Sequence, residues 1–172
     1  MATTTPTVSE TSSQQVSFRS KLEGRIESID SLLCVGLDPH EKELFPNGYG
    51  CGDDVPSDED RALAAFTFCK TLVDQTLPYA ACYKPNAAFF EQLGCHGVSA
   101  LQRVVQECCI PNGVPVLLDV KRGDIGSTAA AYARAAYDVV GADAVTLSPL
   151  MGWDSVSPFV TGASVNSRGE DE

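Results

Sequence analysis

Apolar residues along this chain form four short runs, at residues 32–37, 80–83, 114–120 and 144–147. Runs of this length, bounded by turn residues, are typical of buried β-strands. After Ser57, apolar side chains recur at intervals of three or four and predict a helix, with Ser57 and Asp60 as a variant of the capping box. The same spacing predicts helices at 99–109, 129–140 and 153–160.

Glycine and proline separate these elements. The P-N-G sequence at 111–113 ends one predicted helix and Gly141 ends the next, whereas 41–56 has four glycines or prolines before Val55 and is predicted to be a long loop. His40 and His96 have no partner at catalytic or metal-binding spacing, so we expect both in loops. The alternation of strands and helices predicts an α/β fold with a parallel sheet.

Charged side chains stand where the third strand ends. The segment V-P-V-L-L-D-V-K-R-G-D places Asp119 and Lys121 two residues apart. Side chains two apart on a strand point to the same face, and the carboxyl ends of parallel strands are where ligands bind in such folds. The spacing therefore predicts an ammonium group held against a carboxylate in a cleft, with an ordinary salt bridge at a strand end as the alternative.

Composition excludes several classes of function. The net charge of −11 argues against nucleic acid as a partner, because phosphate binding needs a basic surface. No apolar run approaches the ~18 residues of a membrane span, and the Thr-, Ser- and Gln-rich start lacks the features of a secretory signal. We expect residues 1–17 to be a disordered tail and 163–172 to be a polar tail.

The seven cysteines are an odd number without a disulfide or zinc spacing. Most lie in apolar patterns, where cysteine acts as a small hydrophobic residue. This usage predicts no bound metal and a reducing, cytoplasmic compartment.

Three ordered segments resemble orotidine 5′-phosphate decarboxylase. D-V-K-R-G-D-I-G-S-T (119–128) resembles the active-site signature of this family, L-L-C-V-G-L-D-P-H (32–40) its first strand and C-Y-K-P-N-A-A-F-F-E (82–91) its second. The K-P-N-A-A-F-F-E wording and A-V-T-L-S-P-L-M-G-W-D-S (144–155) resemble the subgroup of longer bacterial-type enzymes. The resemblance covers roughly residues 18–162 and implies cofactor-free decarboxylation of orotidine monophosphate to UMP.

The resemblance also implies a role for particular residues. Lys121 would donate a proton to C6 of the pyrimidine, Asp119 would lie beside the departing carboxylate, and Lys84 would bond the ribose. Residues of the loop after the third strand would reach the neighbouring subunit's site in a homodimer, namely Asp124, Ile125 and Thr128. Asp38 would bind the ribose hydroxyls.

The implied fold is a TIM (β/α)8 barrel, of which this chain holds about four βα units, its N-terminal half, over residues 18–162. Only 25 residues follow Leu147 in a chain of 172, whereas a complete barrel needs ~250 residues. We therefore expect a truncated product, a splice variant or a fragment that is inactive by itself. Whether a phosphoribosyltransferase domain is fused in the full-length protein remains open.

Other interpretations remain open from the residues alone. Asp38 before Pro39 is also a turn former, Lys84 suits a solvated strand end, and Asp124 suits a helix cap. At the level of function, the alternatives are a magnesium-dependent sugar-phosphate decarboxylase or aldolase of the same superfamily, a Schiff-base aldolase, and a non-catalytic half-barrel.

Overall fold

The structure, a computed structural model, describes residues 17–48 and 55–161. Most of the predicted N-terminal tail, Cys51 and the predicted C-terminal tail lie outside the described residues. The helices and strands, in chain order, are α1 Phe18–Ile29, β1 Leu33–Leu37, α2 Glu41–Leu44, α3 Asp58–Thr76, β2 Ala80–Pro85, α4 Ala88–Glu91, α5 Gly94–Arg103, β3 Leu117–Arg122, α6 Gly126–Arg134, β4 Ala144–Leu147 and α7 Trp153–Thr161.

The four strands run parallel in the order β1-β2-β3-β4. Backbone ladders join β1 to β2 and β3 to β4. Two single bridges, Tyr83 with Val116 and Asn86 with Asp119, join the two pairs. The predicted alternation of four parallel strands with helices is confirmed, and it brings the carboxyl ends of all four strands to one edge of the sheet.

The capping box at the start of α3 is present, because the Ser57 hydroxyl accepts the N–H of Asp60 and the Asp60 carboxylate accepts the N–H of Ser57. The helix predicted at 99–109 begins earlier, at Gly94, and continues as a π-helical segment, Val104–Cys109, and a 3-10 turn, Ile110–Asn112. Likewise α6 begins at Gly126 and extends through a π-helical segment, Ala135–Val140, to Gly141, whose φ of 90° ends it.

Two expectations about loops were wrong. Residues 41–44 of the predicted loop form α2, because Glu-Lys-Glu-Leu are good helix formers ahead of Pro46. His96 lies within α5 rather than in a loop. The nearby Gly97 is needed for packing, since a Cβ there would lie 1.9 Å from the carbonyl oxygen of Phe90. His40 directly precedes α2, with its ring edge-on to Phe89.

The core lies between the sheet and helices α3 and α5, and its largest buried side chains include Tyr83, Phe90 and Leu118. Four cysteines are buried in the molecule: Cys69, Cys82, Cys108 and Cys109. Burial raises the pKa of Cys69 and of Cys82 to about 12, which keeps these thiols protonated and inert. Of the helices described, none combines the length and apolar character needed to cross a membrane.

Candidate active site

Chemically active side chains gather at the carboxyl edge of the sheet. Lys84 is the penultimate residue of β2, and Asp119 and Lys121 lie in β3. The register aligns Gly36 of β1 with Lys84, and a bridge aligns Asn86, just after β2, with Asp119. The spacing of Asp119 and Lys121 predicted that these two side chains project together at this edge, and the family resemblance implied that Lys84 joins them.

Asp119 lies at the centre of this cluster. Its Oδ2 accepts a hydrogen bond from Lys84 Nζ at 2.5 Å, and its Oδ1 accepts one from Lys121 Nζ, also at 2.5 Å. The Asp119 side chain is only 5% exposed, whereas that of Lys121 is 69% exposed. One buried carboxylate thus holds two ammonium groups in place, and the more exposed ammonium is free to face a ligand.

The surroundings keep Asp119 ionised. Burial by itself raises the pKa of its carboxyl, but hydrogen bonds from Lys121, Lys84 and Thr146 outweigh that effect and hold the pKa well below its usual range. The hydrogen bond to Asp119 in turn raises the pKa of Lys84. Lys84 lies at a strand end with its side chain 35% exposed, and its ammonium group also bonds a buried carboxylate.

The third strand does not follow regular alternation up to Lys121. The predicted strand at 114–120 is displaced to Leu117–Arg122, and its pairing with β4 shifts register between Leu118 and Arg122. Lys121 has a φ of 47°, in the left-handed region that residues other than glycine rarely adopt. Such strain is common at functional sites, where surrounding contacts hold it.

Asp38 follows β1 at the same edge. Its Oδ1 is a buried side-chain oxygen for which the described part of the chain supplies no hydrogen-bond partner. The turn at this point is closed by the backbone carbonyl of Asp38, which accepts the N–H of His40. A buried acceptor without a partner calls for an explanation, and a ligand hydroxyl would provide one.

The loop residues predicted for the neighbouring subunit's site do not join the cluster. The Asp124 carboxylate accepts the N–H of Ile125 at 2.8 Å, so it bonds the residue just before α6. Ile125 is 45% exposed and Thr128 is exposed in the first turn of α6. Within the ranges that the structure describes, no hydrogen bond or ion pair links these three residues to Lys84, Asp119 or Lys121.

Thr146 of β4 is a member of the site that the sequence did not indicate. Its hydroxyl donates to Asp119 Oδ1 at 2.7 Å. A threonine in an apolar strand is an ordinary strand former, so its type gave no signal. The only sequence hint was its place beside the carboxyl end of a strand.

Comparison with known proteins identifies the family of this chain. A sequence model of the orotidine 5′-phosphate decarboxylase / HUMPS family matches residues 31–170. An orotidine 5′-phosphate decarboxylase of Roseiflexus castenholzii is 48% identical over 133 residues, which are 77% of this chain and 44% of the relative. One of Herpetosiphon aurantiacus is 44% identical over 85% of this chain and 50% of the relative.

Solved structures of an OMP decarboxylase and a UMP synthase are also similar to this chain. The OMP decarboxylase of Leishmania donovani superimposes with a TM-score of 0.68 at 46% identity, over 84% of this chain and 49% of that one. The UMP synthase of the same organism gives a TM-score of 0.69 at 45% identity, over 85% of this chain and 28% of that one. The chain spans about half the length of the curated relatives it matches, and its four βα units correspond to half of a TIM barrel. It belongs to the orotidine 5′-phosphate decarboxylase / HUMPS family.

Proposed function

We propose that the protein carrying this chain decarboxylates orotidine 5′-phosphate to UMP, a step in making pyrimidine nucleotides, without a cofactor or a metal. The observation that carries the proposal is the buried Asp119 carboxylate between the ammonium groups of Lys84 and Lys121 at one edge of the sheet. Membership of the family supplies the reaction, and the geometry supplies the groups that the reaction needs.

In the proposed mechanism, the bond between C6 of the pyrimidine and its carboxylate breaks, carbon dioxide leaves and an electron pair remains on C6. Lys121 stabilises this charge as a nearby cation and donates a proton to C6, and solvent then returns a proton to the amine. Asp119 lies beside the departing carboxylate, while Lys84 bonds the ribose. Asp38 Oδ1, a buried acceptor without a hydrogen-bond partner among the described residues, accepts a ribose hydroxyl.

The test needs a complete barrel. We define the chimera as this chain joined to the part of the Roseiflexus castenholzii relative that it does not match. We expect the chimera to form UMP at ~1 s⁻¹ or faster, measured as carbon dioxide release, and EDTA to leave the rate unchanged. A folded chimera without turnover, beside an active Roseiflexus enzyme as the control, would contradict the proposal.

The same assay separates the alternatives. A magnesium-dependent sugar-phosphate enzyme would lose activity in EDTA, and the K-P-N-A-A-F-F-E segment already counts against it. A Schiff-base aldolase would be trapped by borohydride with its carbonyl substrate. The raised pKa of Lys84 opposes that chemistry, because a protonated amine is a poor nucleophile.

We also propose that the complete protein is a homodimer in which Asp124 and its neighbours Ile125 and Thr128 enter the partner's site. Ile125 and Thr128 are exposed and Asp124 is half-buried, and the separation of all three from the Asp119 cluster of their own chain supports this arrangement. A carboxylate from the partner would complete an alternating array of lysines and aspartates.

Mixing two inactive variants of the chimera tests this shared site. Lys121→Ala and Asp124→Ala subunits should together recover about a quarter of the parent activity, because half of the dimers are mixed and each has one intact site. As the control, Lys121→Ala mixed with Asp119→Ala should recover none, since both residues serve the same chain's site. Demonstrated subunit exchange without recovery would rule out the role of Asp124 across the interface.

Two further expectations stay predictions. A reducing, cytoplasmic location is supported by the free thiols of the six cysteines within the described residues.

A phosphoribosyltransferase domain fused to the full-length protein is supported by the similarity to a longer UMP synthase. The sequence of the transcript tests it.

A further inference from the structure

The hydroxyl of Thr146 makes three hydrogen bonds at the junction of β3 and β4. It accepts the backbone N–H of Val120 at 3.1 Å and that of Lys121 at 3.0 Å. It donates its own proton to Asp119 Oδ1 at 2.7 Å. A hydroxyl has one proton and two lone pairs, so this group is fully used within the protein and has no capacity left for a ligand.

These bonds replace a missing part of the strand ladder. The pairing of β3 with β4 shifts register between Leu118 and Arg122, and regular backbone bonding resumes where the N–H of Ser148 donates to the carbonyl of Arg122. Between Leu118 and Arg122, the backbone N–H groups of Val120 and Lys121 donate to the side-chain hydroxyl of Thr146. The same interval contains the left-handed backbone of Lys121.

The hydroxyl therefore joins the backbone of the proposed proton donor to the carboxylate that holds it. Asp119 Oδ1 accepts from both Thr146 Oγ1 and Lys121 Nζ. A loss of the hydroxyl would free the backbone at Lys121 to relax toward an ordinary φ, and it would free the Asp119 carboxylate to rotate. Either change moves the Lys121 ammonium group.

We infer that Thr146 is a positioning residue, an inference that rests on the proposed decarboxylation. Its hydroxyl holds Lys121 in the left-handed conformation and orients Asp119 between the two ammonium groups. It acts through these two residues and does not touch the substrate. Its removal should consequently slow the chemical step while leaving substrate binding almost intact.

The variants that test this are Thr146→Val, which keeps the shape and removes the hydroxyl, and Thr146→Ser, which keeps the hydroxyl. In the chimera we expect Thr146→Val to lower kcat by roughly 10²-fold, the loss that a displacement of about 1 Å brings, with little change in KM. We expect Thr146→Ser to restore most of kcat. Thr146→Ala gives a second hydroxyl-free variant if the valine variant does not fold.

A matched control is Thr76→Val. Thr76 also has a partly buried hydroxyl, which bonds the carbonyl of Leu72 and the hydroxyl of Tyr83 on the helix side of β2. This variant should lower the Tm and leave kcat unchanged. A Thr146→Val variant with the parent kcat, or a loss that Thr146→Ser does not rescue, would overturn the inference.

Amide exchange provides a readout that does not depend on activity. The N–H groups of Val120 and Lys121 should exchange with solvent faster in Thr146→Val than in the parent, and at the parent rate in Thr146→Ser. An inactive parent chimera would count against the proposed function and leave this comparison intact. Unchanged exchange in Thr146→Val would overturn the inference even in an active enzyme.

Discussion

Replacing Lys121 by alanine in the chimera is expected to abolish UMP formation. The change removes the proposed proton donor to C6, and it also removes the cation that stabilises the developing charge. General acid catalysis contributes 10²–10⁴-fold and one electrostatic contact about 10²–10³-fold, so we expect kcat/KM to fall by at least ~10⁴-fold. Steady-state release of carbon dioxide from orotidine monophosphate measures the effect.

Lys70→Ala is the matched control for this substitution. Lys70 is also ion-paired, with Asp74 at 2.6 Å, but it lies on the exposed surface of α3. Its removal should leave kcat/KM at the parent value. Turnover by Lys121→Ala within about tenfold of the parent would show that another group protonates C6. Asp119→Ala should be similarly severe, because the ammonium groups of both lysines would lose the carboxylate that positions them.

The proximity of Asp119 and Lys121 could be predicted from the sequence for a simple physical reason, whereas the place of Lys84 beside them was implied only by the family resemblance. Short apolar runs alternate with helical stripes, which indicates a parallel sheet, and a parallel sheet collects the carboxyl ends of its strands at one edge. Asp119 and Lys121, two residues apart at the end of one such run, were therefore expected to project together at that edge. No long-range contact had to be known in advance.

The details of β3 could not be predicted in this way. The run from Val114 to Val120 is apolar apart from Asp119, and nothing in it marks where pairing with β4 shifts. The left-handed φ of Lys121 arises from that shift and from the hydroxyl of Thr146, which is 25 residues further along the chain. A local pattern does not contain such a contact.

Helix α1 was missed for a related reason. None of its side chains is buried, so it has no strong apolar stripe. Its position depends on distant partners: Arg25 donates to the carbonyls of Leu77 and Ala80, and Lys21 pairs with Asp143. Helices fixed by polar contacts with the ends of other elements carry little periodic signal.

A polypeptide of residues 1–172 expressed by itself is expected to be inactive toward orotidine monophosphate. Within the described ranges, β1 and β4 each pair with a neighbour on one side only. Strand edges left in this state favour association with other chains, and closure of a barrel is what removes them. The Asp119 cluster therefore lies on an open sheet rather than in an enclosed barrel.

Exposed apolar side chains beside β4 also favour association of this polypeptide with other chains. Leu150, Met151 and Trp153 follow the strand and are 91%, 59% and 64% exposed. Neighbouring large apolar side chains with this exposure are a liability for aggregation, unless another part of a protein covers them. We expect a loosely packed or self-associating sample in which the catalytic residues are present and activity is absent.

Substrate binding should fail for an independent reason. TIM barrels usually hold a substrate phosphate in the loops after strands seven and eight, and the described residues contain four strands. Binding energy at the phosphate is what an enzyme uses to orient the distant reacting centre, so its loss lowers kcat as well as affinity. Light scattering and carbon dioxide release, measured beside the chimera, test both expectations. A soluble, monodisperse sample of residues 1–172 that turns over orotidine monophosphate at ~1 s⁻¹ would show that four strands suffice.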